Sequence, residues 1–129
     1  YGSPVQPKQP KTRPQMAFGR VRGKELKEEW SKIPSQGVDV LMTHTPPAGI
    51  LDFSGYHGEK SIGCEELRSA VARVAPLVHV FGHVHGGYGV HSTKRTHFIN
   101  AASAGARRAE GGQMNTPIVF DIFPTRNNA

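Results

Sequence analysis

Cysteine occurs once in these 129 residues, at Cys64. A single thiol excludes an intrachain disulfide framework and makes a reducing compartment, the cytoplasm by default, the expected setting. No apolar run approaches the roughly 18 residues of a membrane span, and the start shows no signal-peptide pattern. Neither a G-x-S-x-G elbow nor a phosphate-cradling P-loop occurs, which removes two common catalytic and nucleotide-binding devices. No internal repeat is visible. Apolar residues make up a modest 36%, while glycine (15) and proline (10) are frequent. That balance predicts one loop-rich globular domain over residues 1–129 with a modest core, not a helical bundle or a disordered tail. The chain starts at Tyr1 instead of Met, so a processed, nicked or truncated protein is expected.

The net charge of +6 is unevenly spread. Lys8, Lys11, Arg13, Arg20, Arg22, Lys24, Lys27 and Lys32 crowd the first quarter, opposed only by Glu25, Glu28 and Glu29. No aromatic residues alternate with these charges as a single-strand binding platform requires. Prolines at 4, 7, 10 and 14 oppose regular helix or central strand. Residues 1–22 therefore read as a Pro-rich basic arm or loop in solvent, in preference to a nucleic-acid contact.

Hydrophobic spacing supplies the elements. "GKELKEEWSK", residues 23–32, predicts a short helix with Leu26 and Trp30 as its buried stripe. "VDVLM", residues 38–42, reads as a buried strand that Pro46 and Pro47 then stop. Residues 49–62 look like a glycine-punctuated loop. Residues 64–75 form the best helical pattern, with Leu67, Ala70, Val71 and Val74 on one face. Pro76 closes it, and "LVHVF", residues 77–81, begins a second strand. Strand, helix, strand predicts two parallel strands in an α/β fold. Residues 96–100 and 117–123 are further strand candidates.

Parallel α/β sheets collect ligand sites at the carboxyl ends of their strands. His44 follows the first strand, and His83 and His85 follow the second. In extended backbone, residues two apart point to the same side, so H-x-H aims two rings at one place. Three imidazoles gathered there suit zinc, iron, nickel or copper, and manganese if carboxylates join them. His79, inside its strand, is expected to be hydrogen-bonded in or beside the core. His57, His91 and His97 have no clear assignment, and Cys64 reads as a small apolar residue at a helix start.

"DVLMTHTPP" followed by "HVFGHVHGGYG" resembles the calcineurin-like metallophosphoesterases, and within them the small brain-type branch. "YGSP", "AFGRVRGKEL", "IGCEEL", "FINAAS" and "NTPIVFDI" match that branch in order, so the resemblance covers nearly the whole chain. It implies the C-terminal half of a four-layer α/β/β/α sandwich built around two divalent ions, of manganese, iron, zinc or magnesium. His44 and His83 would bind one ion and His85 the other, with Gly87, Tyr88 and Asn100 near the substrate. The chemistry implied is hydrolysis of a phosphoester, with cyclic nucleotides among the candidate substrates. Val5 departs from the tryptophan usual after Y-G-S-P.

The family's D-x-H, G-D-x-x-D and G-N-H motifs, which supply the bridging aspartate, the asparagine ligand and the proton donor, do not occur in this chain. Asp39 lies at the wrong end of its strand to replace them, and Asp52 and Glu59 lie in loops without a motif. The resemblance thus implies an N-terminal half as partner, or self-association, because half a sandwich leaves a sheet face and edge open. Two alternatives stand beside this enzyme fragment. One is a non-catalytic structural or interaction subunit that retains the fold. The other is a mononuclear zinc site with three histidine ligands and an open water position.

Overall fold

The structure, a computed structural model, describes residues 5–6, 20–54, 61–105 and 114–123. Two short strands, β1 (Val5–Gln6) and β2 (Arg20–Val21), pair in parallel within the proline-rich arm. Two residues of strand fit between prolines where a longer one does not. The remainder of 1–19 lies outside the described residues.

Helix α1 spans Lys24–Ser31 and buries Leu26 and Trp30, the i, i+4 pair of its apolar stripe. Helix α2 spans Glu65–Val74 and buries Leu67, Ala70, Val71 and Val74. Cys64 caps it: the thiol accepts a hydrogen bond from the Leu67 N–H at 3.3 Å, satisfying one orphan donor of the first turn. Burial also pushes the thiol pKa up, which suits a packed cap and not a nucleophile. At the other end Ala75 adopts a left-handed conformation (φ 47°), its N–H bonding Val71, before Pro76 forbids another turn. The two helices are tied by polar bonds as well as by the core. Glu66 accepts from the Gly23 N–H at 2.8 Å, and Arg73 donates to the carbonyls of Trp30 and Ile33 at the end of α1. A cation there complements the helix dipole.

Four strands form the main sheet: β3 (Val40–Met42), β4 (Val78–Phe81), β5 (Gly89–Ser92) and β6 (His97–Asn100), in the order β3-β4-β6-β5. The first three neighbours are parallel, and β5 returns antiparallel to β6 as the arm of a hairpin. The expected β3–α2–β4 unit is present, with Leu41 opposite His79. The class is α/β: a mixed sheet with two helices.

The core lies on one face of this sheet, where Leu41, Phe81 and Phe98 meet Leu26, Trp30, Leu67 and Val71. Each such side chain stabilises the fold by about 1.5–3 kcal/mol on burial. On the other face, the period-2 alternation points Val40, Met42 and Val90 outward, and all three are exposed.

Residues 117–123 are a correction to the sequence reading. They were expected to form a strand, and among the described residues they pair with none. A strand needs a neighbour for its backbone groups. Here the segment leaves Val119 and Phe123 more than four-fifths exposed. Among the described residues, no helix is long and apolar enough to cross a membrane.

Candidate functional site

Strands β3 and β4 end side by side. The N–H of Thr43 bonds the carbonyl of Val80 (3.0 Å), and that of Gly82 bonds the carbonyl of His44 (3.2 Å), so the ladder continues two residues past the sheet. This brings the imidazoles of His44 and His83 together, with ring centroids 4.8 Å apart and planes tilted by 58°. His83 has φ 66°, a left-handed conformation that histidine visits more readily than most residues but still at some cost. His85 begins a single 3-10 turn, His85–Gly87. The pKa of His83 is lowered by partial burial first, then by the like charges that His44 and His85 would carry. A lowered pKa favours the neutral ring, the form that can bind a metal ion.

The chain folds this way locally because two buried polar side chains clamp the histidine loops. His79 is fully buried on β4 against Phe81 and Phe98. Its Nε2 lies 3.0 Å from the Thr43 hydroxyl, which in turn donates to the Thr45 carbonyl at 2.9 Å. A carbonyl cannot donate, so the hydroxyl hydrogen goes to Thr45 and His79 must donate from Nε2. The residues on both sides of His44 are held by this relay. Burial drives the His79 pKa down to about 3, so the ring is neutral. Its Nδ1 has no partner among the described residues.

Asn100 performs the same service for the second loop. It is fully buried, and its amide donates to the carbonyls of Leu51 (3.0 Å) and Val84 (2.9 Å) while accepting from the Ala102 N–H. Val84 lies between the two histidines of H-x-H. The side chain expected near substrate is thus engaged with backbone on three sides. Gly87 is also buried, and a Cβ there would sit 1.9 Å from the Leu51 carbonyl oxygen, so glycine is required for close approach. Tyr88 is half-buried, and its hydroxyl donates to the Thr116 carbonyl at 2.7 Å.

Other candidates are placed away from the pair. Asp52 is buried, and one carboxylate oxygen takes the N–H groups of Gly49 and Gly63 and the Ser61 hydroxyl, which occupies it in closing its own loop. Asp39 precedes β3, where its carbonyl accepts from Val78. His91 and His97 lie on the exposed hairpin, His97 bonded to the Ser92 hydroxyl. His57 and Glu59 lie outside the described residues. The expectation of three gathered imidazoles is narrowed: among the described residues no group of three or more His, Cys, Asp and Glu side chains is arranged to hold a metal ion. The imidazoles of His44 and His83 are two potential donors lying close together, which is at most part of a coordination sphere. Further ligands have to come from elsewhere. The roles of Thr43 and Asp52 escaped sequence reasoning, because their partners are set by tertiary contact or by loop closure and not by a motif.

No protein-family profile matches the chain. Metallophosphoesterase domain-containing protein 1 of Homo sapiens is 41% identical over 129 residues, 99% of this chain and 37% of the relative. Two UPF0046 proteins of Caenorhabditis elegans are 43% identical over 123 residues and 42% identical over 125. Each alignment covers 95% of this chain, and 28% and 41% of the respective relative. The chain spans about a third of the length of these curated relatives. With identity sustained along almost all its residues, the chain is similar to a segment of these proteins, of which the human one is named for a metallophosphoesterase domain.

Proposed function

We propose that this chain forms one rim of a two-metal site that hydrolyses phosphoesters, completed by ligands from outside the chain. The observation that carries this reading is the approach of the His44 and His83 imidazoles to 4.8 Å at the carboxyl ends of adjacent parallel strands. His44 and His83 would hold one divalent ion and His85 a second, with manganese, iron, zinc and magnesium as the candidates. When bound, such ions stabilise charge on phosphoryl oxygens and lower the pKa of an attacking water.

The chain's own contribution is to hold and orient. His79 and Thr43 fix the first loop, Asn100 the second, and Gly87 lets the 3-10 turn sit against Leu51. Tyr88 is the half-buried neighbour closest in sequence for substrate contact. The net charge of +6 favours an anionic substrate such as a phosphodiester or nucleotide. In this reading the exposed face carrying Val40, Met42 and Val90 packs on the second sheet of a four-layer sandwich, supplied by the rest of the protein or by a second copy.

The test is metal-dependent turnover of an aryl phosphodiester by a protein of the relatives' full length that contains this segment. His83→Ala should lower kcat/KM by about a hundredfold or more. Turnover that survives the substitution sinks the assignment. A wild-type protein without turnover would favour a non-catalytic interaction subunit.

A further inference from the structure

A cavity of about 370 Å³ lies on the helical side of the sheet, between α2 and the turn joining β5 to β6. Its volume falls within the range of small-molecule sites. Ile50, Val71 and Phe98 are among the apolar residues that line it, and its charged residues are Arg68, Lys94 and Arg95. Among the described residues, no acidic side chain lines it, and none of His44, His83 and His85 does. Arg68 is held in place by a bond from Nη1 to the Ala48 carbonyl at 2.6 Å. Among the described residues, none of the three cations forms an ion pair.

These facts restrict the occupant. A bare inorganic anion would satisfy the cations and leave the apolar lining wet. A neutral apolar molecule would cover the lining and make no use of the three exposed cations beside it. Only a molecule with both parts matches the cavity. We infer that it binds a small organic anion: an aromatic or aliphatic body seated against Ile50, Val71 and Phe98, with one acidic head group among Arg68, Lys94 and Arg95. This site is separate from the proposed metal rim and does not depend on it.

The experiment is a fluorescence titration of the full-length protein with 8-anilinonaphthalene-1-sulfonate, an aryl sulfonate with the required two parts. Lys94→Glu combined with Arg95→Glu should weaken the binding by about tenfold or more. Ala72→Phe, at an exposed helix position that lines the cavity, should fill the space and weaken it similarly. Lys27→Glu, an equal kind of charge change on α1, should leave it unaltered, and inorganic sulfate at the same concentration should not compete. Melting curves report whether each variant is folded. The inference is overturned if the wild type does not bind the probe, which would mean the rest of the protein covers the cavity. It is equally overturned if folded charge-reversal and Ala72→Phe variants bind as the wild type does.

Discussion

His44 and His83 hold their imidazole centroids 4.8 Å apart although they are 39 positions apart in the chain. Parallel pairing of β3 with β4 brings them together, and the bond from the Gly82 N–H to the His44 carbonyl extends that pairing to the histidines themselves. If they hold one ion between them, as proposed, they should behave as a unit. Isothermal titration of the full-length protein with cobalt(II) should show His44→Ala and His83→Ala each weakening binding. The double substitution should cost markedly less than the sum of the two. Additive losses would assign the two imidazoles to independent sites.

His79 sets an acid limit on stability. Its folded pKa, about 3, lies below the ordinary 6.5, so between those values the unfolded chain binds a proton that the folded chain refuses. The stability present above pH 6.5 is therefore lost as pH falls toward 3, by up to about 1.4 kcal/mol per pH unit from this group. Urea denaturation across that window should show the decline. His79→Phe should flatten it, and an unchanged slope in that variant would refute the assignment.

Gly87→Ala should destabilise the fold by about 3 kcal/mol, at the upper end of ordinary overpacking. The added methyl would meet the Leu51 carbonyl at 1.9 Å and the Asn100 amide nitrogen at 2.9 Å, and the first of these is backbone that cannot swing away. Gly89→Ala meets no atom within 4 Å and tests conformation alone, since Gly89 has φ 143°. Thermal melts of the two variants separate crowding from backbone preference; equal, small losses would contradict the close approach.

The outward face of the sheet should drive association of this segment. Met42 is 65% exposed and Val90 55% exposed, on strands at opposite edges of the sheet. Sedimentation velocity of the 129-residue chain should reveal self-association that Met42→Lys reduces. A monodisperse wild-type monomer would show that this face needs no cover.

Much of the fold was legible because its signals are local. Leu26 with Trp30, and Leu67 with Val71 and Val74, announce helices by spacing, and Pro46 and Pro76 mark where elements stop. The strand at 78–81 and its parallel partner followed from β-strand, helix, β-strand order. Residues 117–123 depart from their strand-like pattern for the complementary reason. "PIVFDI" has the composition of a strand, but pairing depends on a neighbour that composition does not specify.

The site divides along the same line. Sequence alone named the candidate residues, because T-H-x-P-P and G-H-x-H put imidazoles among residues that end strands and turn tightly. Only tertiary structure decided how they are held. Thr43 takes its bond from His79, 36 positions away, and Asn100 reaches back to Leu51 and Val84. It also decided that Asp52 serves its own loop, and that His44 and His83 form the close pair while His85 stands beside it. Hydrogen bonds between distant residues depend on distances of a few tenths of an ångström, which spacing along the chain does not encode.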